Sequence, residues 1–234
     1  MRRVLTVMVA GVLLAGCKPQ HPVSVFADPR FNEDSKPGSK VVEKIAVFEC
    51  TSTLSHADDP DNLAPQTMAR FLTPALQRRN DYKFIASATV AYAVDKVSSR
   101  ENYAKFLRSY AMTDKPDMAF LAPIAAELQC DAILIPVVDL WQKDEVDVTE
   151  NATPATYVGA TITVVDAKDG SMLFRCTDED YSEGASTETG DRSLVTSSSG
   201  AVYADLGAKV HRAPPFEDVA AKVAIALASG LPAR

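Results

Sequence analysis

Asp131-Ala132-Ile133-Leu134-Ile135-Pro136-Val137-Val138-Asp139-Leu140-Trp141 is a nearly unbroken apolar run, interrupted inside only by Pro136 and Asp139. A short run of this kind, rich in β-branched residues, reads as a buried strand. Asp117 to Gln129 lies directly upstream and has helical character; Pro123 suits a first turn and sets the regular part near Leu121 or Ala122. Downstream, Thr156 to Asp166 and Ser171 to Asp180 are two further β-rich runs. They meet at Ala167-Lys168-Asp169-Gly170, and Asp-Gly between such runs is a strong hairpin signal. A helix feeding a buried strand, followed by a hairpin, predicts a sheet backed by helices.

The flanks extend this pattern. Glu43 to Cys50 is a short apolar run entered from a polar segment, and it reads as a first buried strand. From about Leu63, the residues Ala64, Met68, Phe71, Leu72, Ala75 and Leu76 fall on one helical face; Pro74 should bend that helix or restart it at Thr73. Tyr82 to Ala86 is a brief strand. Ser98 or Ser99 opens a helix to Met112, with Glu101 in its first turn. Phe216 to Ser229 is an amphipathic helix, with Glu217 and Asp218 at its positive end and Gly230 and Pro232 stopping it. Tyr181 to Arg212 is rich in Ser, Thr and Gly and reads as a long loop. The predicted fold is α/β (α+β): one domain over 43–234, with a mixed sheet of about five strands packed by helices and closed by a C-terminal helix.

Composition narrows the function classes. The chain has 234 residues, 47% apolar and 24% charged, which is ordinary for a globular protein. A formal net charge of −7 argues against nucleic acid as a partner, because neutralising phosphates needs a basic face. No Gly-rich phosphate loop, Gly-x-Ser-x-Gly or His-Glu-x-x-His is present, and no cofactor-binding motif stands out.

The amino terminus carries an address. Met1-Arg2-Arg3 is basic, and Val4 to Gly16 is apolar except for Thr6. These thirteen residues are too few for a membrane span, which takes about 20, but they have the layout of a secretory signal. Leu14-Ala15-Gly16-Cys17 resembles the lipobox of bacterial lipoproteins. That resemblance implies a signal peptide over 1–16, cleavage between Gly16 and Cys17, and acylation of Cys17, whose thiolate takes the lipid. Lys18 stands where an Asp is associated with inner-membrane retention, so the resemblance points to the outer membrane, with the body facing the periplasm. Loss of Arg2 and Arg3 would leave a net charge of −9, so lipid rather than surface charge would hold the protein there. Residues 17–42 read as the lipidated cysteine and a flexible tether with Pro19, Pro22, Pro29 and Pro37; from Lys18 to Val41 it reaches at most about 80 Å.

Several weak features in one order carry a second resemblance. They are Lys44 to Phe48, the helix-to-strand passage Ala125 to Ile135, the hairpin Val165 to Phe174, and the closing helix Val219 to Pro232. Together they resemble the TolB amino-terminal-domain-like proteins of bacterial envelopes, the group of CsgG and LpoB. Pro136 and Cys130 depart from it, each standing where relatives usually have glycine; Pro136 should produce a bulge or a locally unpaired edge. The resemblance supplies no catalytic residue. It implies a non-catalytic interaction module for an envelope assembly, in the manner of a cell-wall synthase activator, with an unidentified envelope protein as partner. The alternatives are an oligomeric CsgG-like secretion or assembly component, which would make a homo-oligomer, and a periplasmic hydrolase.

The remaining reactive side chains have ordinary readings. Asp58, Asp59 and Asp61, near His56, lack the Asp-x-Asp-x-Asp-Gly pattern of a calcium loop and read as a helix-entry loop. Asp178, Glu179, Asp180 and Glu183 read as charges that discourage edge pairing, not as a metal site. Cys50, Cys130 and Cys176 fall on different elements and read as three unpaired, buried small hydrophobes; His21, His56 and His211 have no motif around them. Cys17→Ser is expected to abolish incorporation of labelled palmitate; a Cys17→Ser chain that still takes up label would refute the lipobox reading.

Overall fold

The run beginning at Asp131 becomes the longest strand of a seven-stranded sheet. The computed structural model describes residues 24–28, 31, 42–145, 153–184 and 213–233. Its strands are β1 (Ser24–Ala27), β2 (Lys44–Val47), β3 (Thr51–Ser52), β4 (Lys83–Ile85), β5 (Ala132–Asp144), β6 (Ala155–Asp166) and β7 (Met172–Glu183). Its helices are α1 (Leu63–Gln77), α2 (Ser87–Val97), α3 (Arg100–Thr113), α4 (Met118–Leu128) and α5 (Phe216–Gly230). The sheet order is β1-β7-β6-β5-β2-β4, with β3 pairing β5 off this path. β2 runs parallel to β4 and β5, and β3 parallel to β5, while β5, β6, β7 and β1 are antiparallel. The fold is the expected mixed α/β domain, with seven strands in place of about five.

Each sheet face has its own core. Ile45, Leu134, Val138, Ile162, Val164 and Phe174 pack under α1 and α5. Ala46, Phe48, Ile133, Ile135 and Val137 pack under α2, α3 and α4. The alternation follows from the two-residue period of a strand, which leaves a strand covered on both faces apolar throughout.

Pro136 meets the gap between β2 and β3. Leu134 accepts from Phe48 N–H at 2.9 Å and Val138 accepts from Thr53 N–H at 3.0 Å, so both turn their backbone groups toward β2 and β3. Strand alternation turns Pro136 to the same side, where its missing donor faces the stretch between the two short parallel strands. The register irregularity comes later, between Val138 and Leu140, with Asp139 as the extra residue.

Several expectations are corrected. Ser24–Ala27, within the segment read as tether, pairs with β7, and Phe31 is buried between the rings of Tyr82 and Phe174 at 5.7 and 5.9 Å. Tyr181 to Glu183, read as the start of a loop, belong to β7. α1 carries Pro74 inside it instead of restarting at Thr73, and α4 begins at Met118, capped by Asp117, with Pro123 inside. Ser87–Val97 forms α2, a helix the sequence pattern did not reveal. Gln129, not Cys130, takes the left-handed position that ends α4, at φ 51°. The three cysteines are unpaired, but only Cys176 is fully buried; Cys50 and Cys130 are half-buried because they lie at element ends. Residues 1–16, Cys17 and 185–212 lie outside the described residues.

Arg79, just past α1, joins the ends of the two helices on one face. Its guanidinium donates to the carbonyls of Ala228 at 3.0 Å, Leu231 at 2.5 Å and Pro232 at 2.7 Å, and it pairs with Asp81. Tyr82 adds a hydroxyl bond to the Pro232 carbonyl at 3.1 Å. These carbonyls include those that the end of a helix leaves unsatisfied. Arg79→Met is expected to cost about 2–3 kcal/mol in urea unfolding, because charge-assisted bonds are lost and half-buried carbonyls are left unmet. Arg79→Lys should recover less than half of that, lacking the planar fork.

Candidate functional site

The acidic helix-entry loop is committed to local structure. Asp58 accepts from the Ser55 amide at 3.3 Å and hydroxyl at 2.6 Å. Asp59 accepts from the amides of Leu63 and Ala64, both at 2.8 Å, and so caps α1 from outside its left-handed Asn62. Beside this loop, Asp61, Thr67 and Glu217 rim a cleft of about 200 Å³ floored by Trp141 and Phe216. Those two rings stack at 4.2 Å, with the Lys143 ammonium 4.8 Å from the Phe216 ring. Phe216 at the start of α5 thereby fixes the helix to β5.

Strand alternation splits the second acidic run. Asp178 and Asp180 share a face with Ala160 and Val158, whereas Glu179 and Glu183 share the other with Gly159 and Ala155. Among the described residues no group of three or more His, Cys, Asp or Glu could hold a metal ion. Asp178 is buried, which departs from the reading of the whole run as exposed edge charges, whereas Glu179 and Glu183 are exposed.

Beyond Val138, β5, β6 and β7 continue as a three-stranded arm, since the pairing of β3 ends there. One face of the arm is packed through Trp141 and Val158. The other carries Leu140, Gly159 and Glu179 in one cross-strand row, and Gln142, Tyr157 and Tyr181 in the next. Tyr157 and Tyr181 are half-buried and stack at 5.8 Å. Asp139, at the bulge, accepts from the Thr161 hydroxyl at 3.1 Å, and Thr161 meets Thr177 at 2.9 Å. Gly159 leaves the room this requires: a Cβ there would lie 2.9 Å from Asp139 Oδ1, Glu179 Cγ and Leu140 Cβ. The sequence reading passed over this patch, although an Asp inside an apolar strand, Asp139, was a visible signal.

Electrostatics distinguishes the patch from the thiols. Desolvation beside β6 and β7 raises the Asp139 carboxyl even though the residue reaches solvent; the Thr161 bond opposes this and the Glu179 charge adds to it. Burial pushes the Cys50 thiol up, and Cys130 and Cys176 up to about 11. Their thiolates are scarce at neutral pH, which is the reverse of what a nucleophilic cysteine needs.

No family model and no curated protein sequence matches the chain. Solved structures do. The chain is similar to the PelC dodecamer from Paraburkholderia phytofirmans at 13% identity and a TM-score of 0.41, over 92% of this chain and 99% of that one. It is similar to lipoprotein GNA1162 from Neisseria meningitidis at 16% identity and a TM-score of 0.35, over 60% and 83% of the two chains. It is similar to the LpoB C-terminal domain from Salmonella enterica at 11% identity and a TM-score of 0.35, over 61% and 85%.

Because the folded carboxyl of Asp139 is raised, its ionisation opposes folding at neutral pH, and that penalty disappears as pH falls through the folded value. Asp139→Asn, which can still accept from Thr161, is expected to melt no lower than the parent at neutral pH. The variant's advantage should shrink on acidification into the carboxylate range. Paired thermal melts across that range check it, and an advantage that grew on acidification would contradict the assignment.

Proposed function

We propose that this chain is a non-catalytic lipoprotein of the outer membrane, acylated at Cys17 after removal of residues 1–16, that docks an envelope protein in the periplasm. The observation that carries this reading is the outer face of the β5–β6–β7 arm, where stacked Tyr157 and Tyr181 lie beside exposed Asp139, Glu179 and Gln142. Tyrosines offer large, stiff apolar area with a polar tip, the composition favoured where one protein grips another. The acidic rim selects a basic partner surface. Raised thiol pKa values supply no nucleophile and are consistent with work by contact.

The partner should sit close to the membrane. Six residues lie between Cys17 and Ser24, where β1 begins, so the lipidated cysteine is at most about 25 Å from that strand. That is far shorter than the roughly 80 Å allowed if the whole tether were loose.

Photocrosslinking in cells from a probe at position 142 is expected to trap one defined envelope protein. The double variant Tyr181→Ala/Glu179→Lys should reduce the adduct about tenfold or more with membrane levels unchanged, as loss of an interface anchor does. A detergent-solubilised particle of many copies, with no second protein, would replace this reading with an oligomeric assembly component, the arrangement that the PelC structure shows for PelC.

A further inference from the structure

Three of the exposed large apolar side chains among the described residues share one edge of the sheet, while Leu63, Tyr92, Val97, Met112 and Ile225 lie on α1, α2, α3 and α5. Val25 is 51% exposed and Phe26 47%, both on β1, and Met172 at the start of β7 is 37% exposed. They lie along about 14 Å of the same edge, since Val25 stands opposite Cys176, four residues from Met172. Edge strands usually carry charge or proline against unwanted pairing; β1, Ser-Val-Phe-Ala, has neither. Arg175, across from Phe26, adds no free charge, because its guanidinium is paired with Asp114.

Val25 and Phe26 are adjacent in a strand, so they point to opposite faces of the sheet. Their exposure therefore wraps around the edge and does not form a patch on one face. A protein lying on either face would cover one of them and leave the other wet, whereas a medium met edge-on covers both. Among the described residues no strand pairs with the outer side of β1, whose backbone groups need hydrogen-bond partners, so that medium cannot be hydrocarbon alone. The headgroup region of a bilayer satisfies both requirements.

Chain length brings that region within reach. Six residues separate Ser24 from Cys17, and Phe31, buried against Tyr82 and Phe174, fixes the other end of β1 to the core. We propose that the β1 edge rests on the bilayer through Val25, Phe26 and Met172, setting the sheet edge-on to the membrane with β4 pointing away. This rests on the acylation of Cys17. The contact is apolar, because the exposed carboxylates of Glu179 and Glu183 on β7 would be repelled by anionic lipid.

The test uses the mature lipidated protein in phosphatidylcholine vesicles, with Trp141→Phe removing the only native tryptophan. Phe26→Trp, Val25→Trp and Lys83→Trp are compared; Lys83 is exposed on β4, about 24 Å across the sheet from β1. An interfacial side chain sits about 5–10 Å into the boundary, so brominated acyl chains should quench the two β1 reporters by about half and leave the Lys83→Trp emission unchanged. The quenching should be insensitive to salt. Quenching of neither β1 reporter, of only one, or of all three positions alike overturns the proposal, and the matched pair guards against one variant misfolding. Palmitate labelling of the parent, read first, separates the two failures: no label removes the anchor itself, whereas label without β1 quenching removes only the orientation.

Discussion

The backbone ladder along β5 is the constraint that the rest of the molecule obeys. On one side it holds the parallel strands β2 and β3; on the other it begins the antiparallel meander through β6, β7 and β1. Pro136 lacks the donor that an unbroken parallel neighbour would require, and the parallel side accordingly consists of two short strands with a gap. Two residues after Pro136 the Asp139 bulge begins, and from there β5 pairs only with β6. One missing N–H and one extra residue therefore divide the sheet into a region with helices on both faces and an arm whose outer face meets water.

On the proposed reading, that division separates stability from recognition. The two-faced region holds Tyr103 and Tyr110, whose hydroxyls burial raises, Tyr110 to about 12 and Tyr103 further; each has a hydrogen-bond partner, Tyr103 the Glu49 amide and Tyr110 Thr163. Side chains held this way have little freedom to do anything else. The arm instead carries Tyr157, Tyr181, Asp139 and Glu179 on a rigid ladder, with Gly159 keeping the space between them open. Recognition groups on strands are held more firmly than groups on a loop, which reduces the ordering cost of binding.

The N-terminal segment adds the third element of the design. By pairing Ser24–Ala27 with β7 and burying Phe31, the chain brings part of the segment read as tether into the body. On the proposed reading, a lipid at Cys17 would set how the sheet faces the membrane as well as how far away it sits. The arm and the β1 edge share β7, so the two surfaces are placed relative to one another by a single strand.

Local chemistry made much of this visible in the primary structure. The Asp169-Gly170 turn, the passage from α4 into β5, the Ser99 cap of α3 and the acidic first turn of α5 each rest on residues within a few positions of one another. So did the helix-entry role of Asp59. What stayed hidden depends on contacts between distant residues. β1 is a strand only because β7, some 150 residues later, supplies its partner. α2 is a helix although its sequence is rich in β-branched residues and its N-cap, Ala86, makes no side-chain cap bond; Val90 and Val94 are held by the core of α3 and α4. The outer patch exists only where register sets Asp139, Gly159 and Glu179 side by side. Sequence by itself thus determined which segments could form helices and hairpins, because those rest on propensity and turn chemistry. Tertiary structure alone decided which edge and which face were left open, because strand pairing and register are settled across distances that no local pattern records.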